Sequence, residues 1–139
     1  MRTMGLDLGT KTIGVAVSDE LGITAQGLTT VRRQSRAKDL AALKAVVVEY
    51  EVNRVVLGLP LNMDGSEGPR ALATRKFGDL LVRDLSLPVE YQDERLTTVA
   101  AERALLEGDV SRQKRKEVID RVAASLILQG WLDSQPRPA

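Results

Sequence analysis

Met4-Gly5-Leu6-Asp7-Leu8-Gly9-Thr10-Lys11 is an apolar stretch broken by one charge. Such a run forms a buried strand, and a carboxylate inside it is costly unless a cation meets it. Gly5 and Gly9 bracket Asp7, and positions without a side chain let a ligand or another backbone come close. Thr12-Ile13-Gly14-Val15-Ala16-Val17-Ser18 resumes the extended pattern and ends at Asp19. The two segments read as a hairpin with a carboxylate on its first arm. On this stretch alone, Asp7 is as readily an aspartate satisfied by a Lys or Arg, or facing solvent, as a site residue. The decision rests on whether other acids join it.

Outward from the hairpin, residues 23–31 supply a third strand, with Gly22 and Gly27 marking turns or bulges. Ser35 is an N-cap, and Leu40, Leu43, Val47 and Tyr50 follow at helical spacing. Residues 54–59 form a short apolar strand that ends at Pro60; arriving after a helix, it lies parallel to the first strand through a right-handed crossover. Residues 61–68 are a loop by composition. Pro69 suits the first position of a second helix whose apolar residues include Leu72, Phe77, Leu80 and Leu81. Residues 88–93 read as a fifth strand. Thr97 or Thr98 caps a third helix that Gly108 ends, and a last helix covers residues 115–132. This order predicts an α/β fold: a five-stranded mixed sheet, three antiparallel strands then two parallel, with helices on both faces. Residues 1–133 read as a single domain and 134–139 as a disordered tail.

Composition narrows the chemistry. The chain has 139 residues, no cysteine and no histidine. Disulfides, thiolate metal sites, thiol nucleophiles, Ser-His-Asp catalysis and His-ligated zinc are therefore excluded. No apolar run reaches membrane-spanning length and no signal-peptide pattern opens the sequence, so the expected location is the cytoplasm, with no membrane partner. Net charge is only +1, yet Arg32, Arg33, Arg36 and Lys38 cluster, as do Arg112, Lys114, Arg115 and Lys116. Such clusters are more often solvated faces than sites. The second has about even odds of touching phosphate, because it directly precedes a helix carrying an acid. Four aromatic residues are too few for an extended base-stacking platform.

Asp7 is expected near the middle of the first strand. The fifth strand ends in Asp93-Glu94-Arg95, where alternation lets only one of the two acids look towards Asp7. Glu94 comes last and is freer to turn; Asp93 also reads as a cap or turn residue. On the last helix, Ile119, Val122, Ala123, Leu126, Ile127 and Gly130 fall on one arc, with Asp120 at its edge. An Asp120–Lys116 ion pair would equally explain that acid. The small Ala123 and Ala124 let the helix approach the sheet. Leu128 points away from the arc and is unexplained by it; a partner contact is one way to account for it. Three carboxylates without histidine suit Mg²⁺ or Mn²⁺ and metal-assisted phosphoryl chemistry.

Gly5-Leu6-Asp7-Leu8-Gly9-Thr10-Lys11, residues 13–19, Gly58-Leu59-Pro60-Leu61-Asn62-Met63-Asp64-Gly65-Ser66, Asp93-Glu94-Arg95-Leu96-Thr97-Thr98, and Asp120 followed by Ala123-Ala124 resemble the YqgF/RuvX family over nearly the whole chain. The resemblance implies an RNase H-like fold and a metal-dependent nuclease of pre-16S rRNA processing, related to Holliday-junction resolvases. It implies catalytic and metal-holding roles for Asp7, Glu94 and Asp120, with Mg²⁺ or Mn²⁺ as cofactor. Substrate contacts would fall to Lys11, Arg95, Arg112, Lys114, Arg115 and Lys116. The expected partner is nucleic acid, RNA before structured DNA, and a homodimer stays open. Two departures stand out: Thr12 replaces an arginine common in the family, and Ala123 stands where RuvC-type resolvases carry a second helix acid. The first turn also looks like the phosphate hairpin of actin-like ATPases and sugar kinases, but this chain holds only half of such a protein. A non-catalytic RNA-binding assembly factor is the other rival; its role would survive loss of the acids.

Overall fold

The computed structural model describes residues 1–96 and 112–136, and within 112–117 the course of the helix alone. The expected helix after Thr97 lies outside the described residues, as do the tail residues 137–139 and the side chains of the basic cluster 112–116.

Five strands form one sheet: β1 (Arg2–Leu8), β2 (Thr12–Ser18), β3 (Ala25–Arg32), β4 (Val52–Leu59) and β5 (Val89–Asp93). Their order across the sheet is β3-β2-β1-β4-β5. β1 pairs antiparallel with β2, and β2 with β3; β1–β4 and β4–β5 are parallel, as expected. Helices α1 (Arg36–Glu49) and α2 (Pro69–Leu85) supply the crossovers, and α3 (Arg112–Ser134) closes the chain. Ser35 caps α1 by accepting the Lys38 N–H, and Pro69 opens α2.

The strands sort their side chains by parity. Met4 and Leu6 of β1, with Ile13, Val15, Val55 and Leu57, meet Leu40, Leu43, Phe77 and Leu81 of α1 and α2. Gly5 and Asp7 point the other way, to the face that α3 covers. There Ala16 and Val56 pack against Ala123, Ala124, Ile127, Leu128 and Trp131. This second face is built from small residues, so α3 lies almost on the sheet backbone.

Three expectations need correction. Asp7 is the last residue but one of β1, beside the carboxyl end of the strand and not at its middle. Leu128 is fully buried over Gly5, because the buried face of α3 is turned by about one residue from the expected arc, leaving Val122 and Leu126 only half-buried. Leu72 is exposed, while Ala71 and Thr74 take the inward positions of α2.

Candidate active site

Asp7 sits opposite Gly14 in the β1–β2 register, and Gly58 follows Leu57, the β4 partner of Leu6. Asp7 is thus flanked on both sides by residues without side chains, and it is buried. Each glycine leaves room that another element fills. A Cβ on Gly14 would stand 2.0 Å from the backbone oxygen of Asp120, so α3 meets the sheet at that residue. A Cβ on Gly58 would stand 2.9 Å from Glu94 Oε1 and 2.5 Å from Ile127 Cδ1. The side chain of Glu94 therefore folds back over β4 on the α3 side.

Asp120 is held from β2. The hydroxyl of Thr12 donates to its Oδ2 at 2.6 Å. The residue that departs from the family pattern is thus the one that orients a site carboxylate. Nothing in the sequence signalled this contact, since its partners are far apart in the chain.

The choice between Asp93 and Glu94 has a plain geometric outcome. β5 ends at Asp93, and Glu94 begins a short 3₁₀ turn that releases it from strand alternation. Asp93 is bound to Arg95, whose Nε lies 3.1 Å from both carboxylate oxygens and whose Nη2 lies 2.8 Å from Oδ2. That contact holds the Asp93 carboxyl below the usual aspartate range, against the opposing effect of burial. Arg95 also donates through Nη1 to the carbonyl of Met63 at 3.1 Å. It ties the end of β5 to the loop of residues 60–68, where Asp64 accepts from Ser66 and is likewise held below the usual range. The guanidinium expected to contact substrate is engaged in this tether.

Lys11 is exposed on the β1–β2 turn at the site end of the sheet. Arg112, Lys114, Arg115 and Lys116 lie in the first turns of α3, outside the described side chains.

Asp7, Glu94 and Asp120 thus come from a central strand, a 3₁₀ turn and a helix to one face at one end of the sheet. Among the described residues, no three acidic side chains are gathered as a ready cation cage. The donors are all carboxylate oxygens, the type that Mg²⁺ and Mn²⁺ take, and the two bare glycine positions let α3 and the Glu94 side chain close over the sheet beside Asp7. The residues fit such an ion in donor chemistry and in the face they share.

Comparison with known proteins bears on the family and the fold. Residues 1–134 match the RuvX family model, described as Holliday junction resolvase. A Myxococcus xanthus (strain DK1622) protein provisionally named a pre-16S rRNA nuclease is 71% identical over 138 residues, covering 99% of this chain and 91% of that protein. A Moorella thermoacetica protein with the same provisional name is 63% identical, covering 96% of this chain and 95% of its own. Among solved structures, T. thermophilus RuvC in complex with Holliday junction substrate aligns with a TM-score of 0.56 at 16% identity, covering 96% of this chain and 95% of that one. The fowlpox virus Holliday junction resolvase aligns with a TM-score of 0.54 at 12% identity, over 97% and 100% of the two chains. At such identities these two structures speak for the fold, which is that of RNase H-like resolvases.

Proposed function

Because this chain belongs to the RuvX family, we propose that it is a metal-dependent nuclease that hydrolyses phosphodiester bonds, with RNA as substrate in 5′-end processing of pre-16S rRNA. The observation that carries this reading is the meeting of three elements around Asp7: the sheet is bare at Gly14 and Gly58, and the carboxylate-bearing residues Asp120 and Glu94 lie over those two positions. The names of the relatives support the RNA assignment.

Asp7, Glu94 and Asp120 would hold Mg²⁺ or Mn²⁺, which when bound supplies charge neutralisation at the phosphate and a more acidic water. The chain's own residues set the stage for that chemistry. Asp7 is fixed by the central strand. Thr12 occupies one oxygen of Asp120 and orients the other. Arg95 draws Asp93 away, so Glu94 is the acid that turns inward. Lys11, exposed beside the site, steadies a non-bridging phosphate oxygen, and Arg112, Lys114, Arg115 and Lys116 extend the phosphate contacts along the start of α3. With no histidine in the chain, no imidazole serves as general base.

A second reading, cleavage of branched DNA, draws on the family description. Against it stands Ala123, one turn beyond Asp120, where a second helix acid would be needed. Matched RNA and DNA substrates, including a pre-16S 5′ leader and a four-way junction, separate the two when incubated with Mg²⁺ or Mn²⁺. The expected result is cleavage of the RNA leader that excess chelator abolishes and that Asp7→Asn lacks. Cleavage at the wild-type rate by Asp7→Asn, or unchanged cleavage in chelator, overturns the proposal.

A further inference from the structure

The acids lie on one face of the sheet, and the opposite face carries a concavity at the same end. It runs between the start of α1, one side of α2 and the β1–β2 turn, with a volume of about 490 Å³. A smaller recess that reaches Gly9 and Arg70 shares Leu8, Thr10, Arg33 and Ala73 with it, so the two form one groove. The floor is rigid. The Arg33 guanidinium lies 5.9 Å from the centre of the Phe77 ring, and its Nη1 donates to the Gly9 carbonyl at 2.8 Å. Asp39, the one acid in the lining, is buried; it accepts the Gln34 N–H at 2.9 Å and faces Arg33 at 3.8 Å. Its charge is answered inside the fold.

The rim is different. Arg36, Arg70 and Lys76 line the groove with exposed side chains, and among the described residues none of the three forms an ion pair. The neighbouring Arg75 shows the contrast: it is paired with Glu67 and lies 4.8 Å from the Tyr91 ring centre, on the other flank of α2. Three cations around a concave wall, unanswered among the described residues, are a local excess in a chain whose net charge is only +1. A low-dielectric concavity focuses such a field on an anion. Phe77 is buried and no other aromatic ring lines the groove among the described residues, so no ring face is offered to a base.

We propose that this groove is a subsite for the phosphodiester backbone of the strand flanking the scissile bond, gripped by Arg36, Arg70 and Lys76 over the fixed Arg33. The inference rests on the nuclease reading and extends it. The strand would pass from the acids over the turn at residues 9–11; Asp7 and Thr10 are three residues apart, a separation of at most about 10 Å even for fully extended chain. The grip is independent of sequence because it touches phosphate alone.

The test uses the full chain carrying Asp7→Asn, so that substrate survives. Anisotropy of a labelled single-stranded RNA, and of DNA of the same sequence, reads affinity across a range of KCl concentrations. Combined Arg36→Gln, Arg70→Gln and Lys76→Gln should weaken both ligands and lower the slope of log affinity against log salt by about 2 to 3, at about 0.7–0.9 per phosphate contact. Lys44→Gln with Arg83→Gln, on the same helices outside the groove, should leave the slope unchanged. An unchanged slope and affinity in the groove variant, with its thermal midpoint intact, overturns the subsite while wild-type cleavage leaves the nuclease reading standing. Absence of any nucleic-acid binding at low salt, together with absence of wild-type cleavage, overturns both. Binding of RNA but not DNA keeps the subsite and assigns it to RNA.

Discussion

At the scale of single residues, the site depends as much on what is missing as on what is present. Gly14 has no Cβ, and that absence lets the backbone of α3 touch β2 at Asp120. Gly14→Ala should destabilise the fold by about 1–3 kcal/mol through overpacking, because the obstacle is main chain and cannot rotate away. Denaturant unfolding measures this, and cleavage should fall with it as Asp120 is pushed off the site. Thr12 is the second such residue. Thr12→Val removes the donor to Asp120 Oδ2, and cleavage should fall about tenfold, the equivalent of about 1.5 kcal/mol for a bond to a charged group, while Thr12→Ser retains most of the rate. Single-turnover rates of the two variants check it; equal rates for Val and Ser would remove Thr12 from the site. Asp7 and Asp120 were legible as candidates, because one interrupts and the other borders an apolar pattern, whereas strand alternation left Asp93 and Glu94 open and only the family resemblance chose Glu94. The Thr12–Asp120 bond was not legible, since it joins segments whose distance only the fold sets. Nor was the Arg95–Asp93 pair, although the two are neighbours in sequence: an arginine after an acid reads equally as substrate contact or as counter-ion.

At the scale of elements, the strands were legible and the helix faces less so. Closely spaced extended segments pair as a meander and an apolar run reached through a helix lies parallel, so three antiparallel strands followed by two parallel ones were legible from spacing, while the full order β3-β2-β1-β4-β5 comes from the structure. The buried side of α3 was misread by about one residue because the sheet beneath it is small. Gly5 accepts Leu128 where a larger residue would have forced a different rotation. Two element boundaries carry further consequences. Glu51, just after α1, has φ of 54°, a left-handed conformation that costs a residue with a Cβ about 1–2 kcal/mol. Glu51→Gly should therefore raise unfolding stability by up to about 1 kcal/mol and leave cleavage unchanged, as thermal denaturation and a rate assay would report. The tether from Arg95 to Asp93 and to the Met63 carbonyl has a sign in pH. The Asp93 carboxyl is held below its ordinary value, so the tether's contribution is complete above the ordinary aspartate range and is lost as pH falls through the depressed value. Amide exchange around residues 63–66, compared between neutral pH and strong acid after correction for intrinsic rates, should show the loop loosening only at the acid end. Loosening already near neutrality would contradict that assignment.

At the scale of the whole molecule, the sheet separates two jobs. One face is a conventional core in which α1 and α2 bury large aliphatic side chains. The other is thin, with α3 laid on glycine and alanine, and its closeness sets the backbone of Asp120 against Gly14, the residue opposite Asp7 in the β1–β2 register. This division puts Asp7, Glu94 and Asp120, far apart in the sequence, on one face of the sheet. It also places Arg36, Arg70 and Lys76, which form no ion pair among the described residues, on the far side of the turn that follows Asp7. The central claim is that Asp7, Glu94 and Asp120 act together on one divalent cation centre. Its most direct test is the thermal midpoint of wild type, Asp7→Asn, Glu94→Gln and Asp120→Asn, each with and without Mn²⁺. An ion that binds the native site and not the unfolded chain stabilises it, by about 2.7 kcal/mol when present at about a hundred times its dissociation constant. Mn²⁺ should raise the midpoint of the wild type, with most of that rise lost in Asp7→Asn and a smaller rise in the other two variants. The same Mn²⁺-induced rise in all four proteins would contradict that claim.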